Sequence, residues 1–282
     1  MARIVGGIAC SHVPAIGAAM DKGIAGNAYW DPLFRGYRPA REWLAQLKPD
    51  AAIVVYNDHA SAFSLQVIPT FLIGVAAQFP VADEGFGPRP IPPVIGHPEL
   101  AWHLAESLIL DEFDMTIANE MSVDHGLTVP LSITCGQPAA WPFAVVPLCV
   151  NVVQYPPPTG ARCFKLGQAI ARALARFEQN LRVVIYGTGG MSHQLQGERA
   201  GLINRRFDTA FLDGMTRDPL ALTRISHTEY MREAGSEGVE MVMWHVMRGA
   251  LTTDATEVYR HYHVPASNTA AGLMILENGA AS

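Results

Sequence analysis

Three apolar segments of this chain end on the same type of residue. "RIVGGIACSH" closes on Ser11-His12, "AAIVVYNDH" on Asp58-His59, and "RVVIYGTGGMSH" passes through a glycine turn to Ser192-His193. Imidazole is the commonest metal-ligating side chain and the one whose ordinary pKa lies nearest neutrality, so each of these histidines could hold a cation or carry a proton. One histidine at a strand end is usually a hydrogen-bonded structural residue; the same placement three times over points to a shared purpose. The short ligand spacings of a zinc finger or an HExxH helix are absent. A metal site in this chain would have to be assembled from distant segments, with Asn57 and Asp58 as candidates for orienting His59 or its loop.

Such a site also needs an anion. "SEGVEMVMWHVMRGA" reads as a helix N-capped at Ser236 whose middle, Met241 to Val246, is apolar nearly all round and therefore buried. Glu240 stands at the edge of that buried part, where the helix dipole favours the ionised form and burial calls for a cation. Glu237 shares the face but lies nearer solvent, which makes it the alternative ligand. Two neutral imidazoles and a carboxylate are the set that holds non-haem Fe(II) with several positions open. Zinc on the same set would activate water, and the residue types alone leave both metals open. With iron, the residual site charge of about +1 would suit a chelating catecholate.

The elements that must position these residues are legible as patterns. Apolar, β-branched runs at 3–8, 51–56, 143–150, 182–186 and 271–276 predict strands buried on both faces, and helical patterns occur near residue 40 and at 98–113 and 163–179. Their alternation implies an α/β fold, an elaborated mixed or mostly parallel sheet covered by helices. Ligands of open α/β sheets bind beyond the carboxyl ends of the strands, so His12, His59 and His193 are expected to converge on one crevice. The proline-rich "PRPIPPVIGHP" and "QYPPPTG" must be extended loops, expected over one edge of the sheet. Composition does not shift along the chain and no linker or repeat interrupts it, so residues 1–282 are read as a single catalytic domain.

With 49% hydrophobic and 16% charged residues among 282, the chain is an ordered globular protein. A net charge of -6, a pI near 5.9 and the lack of any Lys/Arg cluster exclude nucleic acid as an expected partner. Four scattered cysteines suit reduced thiols and a cytoplasmic location. The longest apolar stretch, "VIPTFLIGVAAQFPVA", is too short and too interrupted to span a bilayer, so no membrane is expected.

Together, "GIACSHVPAIGAAM", "VVYNDHASAF", "FGPRPIPPVIGHPELAWH", "MSVDHGLTVPL", "GTGGMSHQLQGERAGLIN", "GSEGVEMVMW" and "HVPASNTAAG" resemble the class III extradiol ring-cleaving dioxygenases over essentially the whole chain. The resemblance implies His12, His59 and Glu240 as ligands of Fe(II), His193 as the acid/base residue beside the substrate hydroxyl, and His125 as a helper near bound O2 or substrate. It implies that Ser267 and Asn268 hold a substrate carboxylate. It further implies ring opening of a catechol acid with O2, protocatechuate first, with gallate, methylgallate or an aminophenol as rival substrates. A metal-free binding protein of the same superfamily is the rival outside catalysis. Because related single chains carry an extra domain over the active site, a small separate alpha subunit and an α2β2 assembly are expected.

Other features favour plainer readings. "GTGG" lacks the lysine of a phosphate loop and is expected to turn the chain and aim His193. His261 and His263, at i and i+2, share a face if they lie on a strand, but hydrogen bonding at the surface is the simpler expectation. His97, His103, His227 and His245 are expected to be structural.

Overall fold

The structure is a computed structural model that describes residues 1–264 and 268–279. Its strands are β1 (Arg3–Cys10), β2 (Ala51–Tyr56), β3 (Phe71–Gly74), β4 (Gln78–Phe79), β5 (Val94–Ile95), β6 (Met115–Ala118), β7 (Ala144–Val150), β8 (Arg182–Thr188), β9 (Thr256–His263) and β10 (Ala271–Glu277). Its helices are α1 (Pro14–Asp21), α2 (Asp31–Leu47), α3 (Pro98–Leu110), α4 (His125–Cys135), α5 (Gly160–Leu174), α6 (Arg205–Arg217), α7 (Pro219–Leu222), α8 (His227–Ala234) and α9 (Val242–Ala250). All five predicted strands are present, with ends within two residues of those expected.

Eight strands form one mixed sheet in the order β6-β3-β7-β2-β8-β1-β10-β9, while β4 and β5 pair as a separate ribbon. The centre, β7-β2-β8-β1, is parallel; β10 and β9 are antiparallel additions on one side. The central strands are buried on both faces, which is why they read as continuous apolar runs rather than alternating ones. Alternate residues of β2 divide between two cores. Ile53 and Val55 pack with α3, α5 and α9, whereas Val54 and Tyr56 pack with α1, α2 and α4.

The strands that deliver His59, His193 and His12 are β2, β8 and β1, three neighbours running the same way. Their carboxyl ends therefore open side by side. The long connections 57–70, 151–159 and 189–204 leave the same ends of β2, β7 and β8, so they gather over the strand ends and not along a lateral edge of the sheet. No helix among the described residues is long and apolar enough to cross a membrane.

The structure differs from the sequence reading at the segment that carries Glu240. Residues Glu237–Met241 form a 3-10 turn before α9, and Ser236 is not an N-cap: it is itself helical (φ -58, ψ -39), and its hydroxyl is bonded to the Glu237 carboxylate. The strands β3, β6 and β9 were not apparent from pattern. The first two have four residues each, and the polar "TEVYRHYH" of β9 is an edge strand with no fully buried position.

Candidate functional site

His12 lies just beyond β1, 3% exposed, with Nδ1 3.0 Å from the hydroxyl of Thr188 at the end of β8. Its Nε2 is buried without a hydrogen-bond partner and lies 3.2 Å from Glu240 Oε2. His59 follows β2; its Nδ1 is 3.1 Å from Asp124 Oδ2, and its backbone N–H donates to the same oxygen at 2.6 Å. That leaves His59 Nε2 3.0 Å from the Asn57 amide and 4.0 Å from Glu240 Oε1. Two imidazoles, from the strands on either side of β8, thus aim Nε2 at the two oxygens of one carboxylate.

Glu240 is buried, and its Oε2 also accepts from the Gly190 N–H at 2.6 Å. This approach requires glycine at 189, where φ is +126° and a Cβ would stand 2.9 Å from the Glu240 Cβ and carbonyl oxygen. The "GTGG" turn is therefore the seat of the carboxylate as well as the arm of His193. Burial alone would raise the Glu240 carboxyl, but His12, His193 and His59 outweigh it and hold the group well below the ordinary carboxylate range. Burial pushes His12 down, beyond what Glu240 restores. Burial likewise opposes ionisation of Asp124, yet its bond to His59 wins and takes it down to about 2. His59 is pushed the other way, burial being overcome by Asp124.

His193 Nδ1 donates to the Met191 carbonyl at 2.7 Å, which leaves Nε2 as the proton-accepting nitrogen, 3.7 Å from Glu240 Oε2. The turn that holds it is pinned from behind: Asp208 Oδ1 accepts from the Ser192 N–H at 2.9 Å, and its Oδ2 accepts from the Ser192 and Tyr262 hydroxyls. His125 begins α4 and stacks on His59 with ring centroids 3.9 Å apart. His12, His59 and His125 offer nitrogens within 4.8 Å of one another, so the group able to hold a metal extends to His125 by distance. All of these line a crevice of about 590 Å³ with Val13, Ala15, Val152, Val153 and Thr269. Among the described residues that line it there is no lysine or arginine.

The sequence-predicted residues His12, His59, His193, His125 and Glu240 are brought together. Glu237 also reaches the crevice, but its carboxylate accepts from the Leu195 N–H and the Ser236 hydroxyl and stands apart from the imidazoles. Asn268 is exposed, in a left-handed turn (φ 54) beside the lining residue Thr269, and Ser267 lies outside the described residues. Of the two candidates for orienting His59, Asp58 folds the loop by accepting from the N–H groups of Ser61, Ala62 and Phe63, and Asn57 touches the ring. The residue that fixes Nδ1 is Asp124, which sequence reasoning missed. Its signal was an Asp directly before a helical pattern, since it caps α4 through the Gly126 N–H.

Four of the six remaining histidines are accounted for structurally, whereas His261 Nε2 is buried with no hydrogen-bond partner among the described residues, contrary to the surface bonding expected of it. His97 caps α3, His103 and His227 bind backbone carbonyls, and His245 meets the Tyr230 hydroxyl in the core. His261 and His263 do share a face of β9, with ring planes 10° apart, and among the described residues they join no group of three potential ligands.

Residues 6–273 match the family described as the catalytic LigB subunit of aromatic ring-opening dioxygenase. The chain belongs to this family. A gallate dioxygenase of Pseudomonas putida is 43% identical over 198 residues, covering 70% of this chain and 58% of that protein. A 2,3-dihydroxyphenylpropionate/2,3-dihydroxicinnamic acid 1,2-dioxygenase of Burkholderia vietnamiensis is 34% identical over 175 residues, covering 60% of this chain and 53% of that protein. The chain thus spans little more than half the length of these curated relatives. An uncharacterized Escherichia coli K12 protein of known structure shares the fold, with a TM-score of 0.59 at 16% identity over 98% of this chain and 100% of that one.

Proposed function

We propose that the protein is an Fe(II)-dependent extradiol dioxygenase that opens the ring of protocatechuate with O2 to 4-carboxy-2-hydroxymuconate semialdehyde. The observation that carries this reading is the buried, partnerless Nε2 of His12 facing Glu240, with His59 Nε2 on the other carboxylate oxygen. Burial of a polar nitrogen without a partner costs about 1–3 kcal/mol, and a cation held by His12, His59 and Glu240 would remove that cost. Their donor set, two imidazoles and one carboxylate, fits Fe(II), which when bound supplies open positions for a chelating catechol and O2.

The chain's own residues supply the proton chemistry and the orientation. His193, with Nδ1–H committed to Met191, takes a catechol hydroxyl proton at Nε2 and returns it later in the reaction. His125, stacked on the His59 ring, serves as a helper near O2 or substrate. Ser267 and Asn268 hold the ring carboxylate, and the apolar walls from Val13 and Val152 keep water from the ring. The 43% identity to a gallate dioxygenase favours gallate as the second reading of the substrate. A separate covering subunit, in an α2β2 assembly, is part of this proposal: Val153 and Leu195 line the crevice and are about half exposed, and the more exposed Leu65 and Val67 line a second hollow that shares Val153, which together make an apolar surface suited to a partner.

The test is metal analysis together with product mass. Apoprotein loaded anaerobically with Fe(II) is expected to consume O2 and give the ring-opened acid, with kcat/KM higher for protocatechuate than for gallate. Glu240→Gln should lose iron while staying folded, and His193→Phe should keep iron and lose turnover. Full activity with zinc alone would overturn the iron reading, and a preference for gallate would move the substrate to the second reading.

A further inference from the structure

We propose that Glu84 is a positioning residue that holds His125 in the crevice, a role that rests on the ring-cleavage reading for what His125 does there. Glu84 grips one residue at two points. Its Oε1 accepts from the His125 ring at Nδ1, and its Oε2 lies 3.1 Å from the His125 backbone N–H. A carboxylate at Nδ1 fixes the proton on that nitrogen and leaves Nε2 for the crevice that His125 lines. The stacking of His125 on His59 then fixes the ring plane as well.

The segment carrying Glu84 is built to hold it there. Asp83 Oδ1 accepts from the N–H groups of both Gly85 and Gly87 at 2.9 Å, and both glycines have positive φ, 95° and 81°. Phe86 between them is fully exposed, so no packing of the tip explains the conformation. Two residues further on, Arg89 forms a two-bond pair with Asp21 and donates to Ser132 Oγ at 3.1 Å and Thr128 Oγ1 at 3.4 Å. Thr128 and Ser132 follow His125 at i+3 and i+7, on the same face of α4. The loop is therefore strapped along the helix whose first residue Glu84 holds. The Glu84 side chain is 28% exposed, and an ion pair that open adds little stability, so its loss should act on the orientation of His125 rather than on folding.

The experiment compares Glu84→Ala, Glu84→Gln, His125→Ala and the Glu84→Ala/His125→Ala pair in the iron-loaded full chain. Glu84→Ala should lower kcat about 10- to 100-fold, the usual effect of removing a partner behind a functional imidazole, with KM, iron content and Tm unchanged. Glu84→Gln, which keeps an acceptor for Nδ1–H, should recover most of that loss. In the His125→Ala background the further change should be absent. Nitrogen-15 NMR of the imidazoles gives a readout free of turnover: wild type should show a protected His125 Nδ1–H that Glu84→Ala loses. If no catechol is cleaved by any form, the ring-cleavage reading fails and the NMR still decides the role of Glu84. An unchanged Nδ1–H signal in Glu84→Ala, or independent, multiplying losses in the double variant, overturns the proposal.

Discussion

The two imidazoles that face Glu240 are held by unlike partners. His12 leans on the neutral hydroxyl of Thr188, whereas His59 leans on the carboxylate of Asp124, which also caps α4. The two tasks of Asp124 can be separated. Asparagine caps a helix as well as aspartate does but brings no charge to the imidazole, while alanine does neither. Asp124→Asn should weaken iron binding about 10- to 100-fold, as loss of an outer partner does, with the helical circular dichroism of the apoprotein intact. Asp124→Ala should show the same loss of iron together with destabilisation of about 1 kcal/mol in a urea titration.

Among the elements, α5 and α9 set the depth at which Glu240 sits. They approach backbone to backbone: a Cβ on Gly167 would fall 2.1 Å from the Val246 carbonyl oxygen, and one on Gly249 would fall 2.1 Å from that of Phe164. Gly167→Ala should therefore cost about 1–3 kcal/mol and lower Tm by several degrees by calorimetry, because α9 must be pushed off α5. The same helix carries His245, whose buried imidazole is pushed down to about 3 by desolvation. Between that value and the ordinary pKa near 6.5 the unfolded chain binds a proton that the folded chain does not. Stability should accordingly fall as pH drops from about 6.5 towards 3, with this group contributing up to about 1.4 kcal/mol per pH unit. Urea midpoints for His245→Gln should show a shallower decline over that interval than wild type, even though the loss of the Tyr230 contact lowers stability at pH 7.

On the scale of the molecule, the proposed ligands arrive from the ends of β1 and β2 and from the turn before α9, so they meet only when the sheet is complete. A cation that joins them binds the folded chain and not the unfolded one. At a free Fe(II) concentration a hundredfold above Kd, this adds about 2.7 kcal/mol to stability. Anaerobic Fe(II) should raise Tm in wild type, a chelator should reverse the rise, and Glu240→Gln should show no rise. An equal rise in Glu240→Gln would place the metal elsewhere.

The central strands, the types of residue at their ends, and Glu240 as first candidate for the anion with Glu237 as its alternative are legible in the local sequence. Strands buried on both faces must be continuously apolar, and a carboxylate beside such a run has few places to go, so these features leave local marks. The tertiary structure decided how the imidazoles are held. Asp124 reaches His59 from the start of another helix, and Glu84 reaches His125 from a loop whose only local features are glycines and an aspartate. It also decided that the Glu240 segment begins as a 3-10 turn, because Ser236 spends its hydroxyl on Glu237 and the turn must meet the backbone at Gly190. Side chains paired across long sequence separations leave no periodicity behind them. Their partners follow from which strands lie side by side, and that order is a property of the folded sheet.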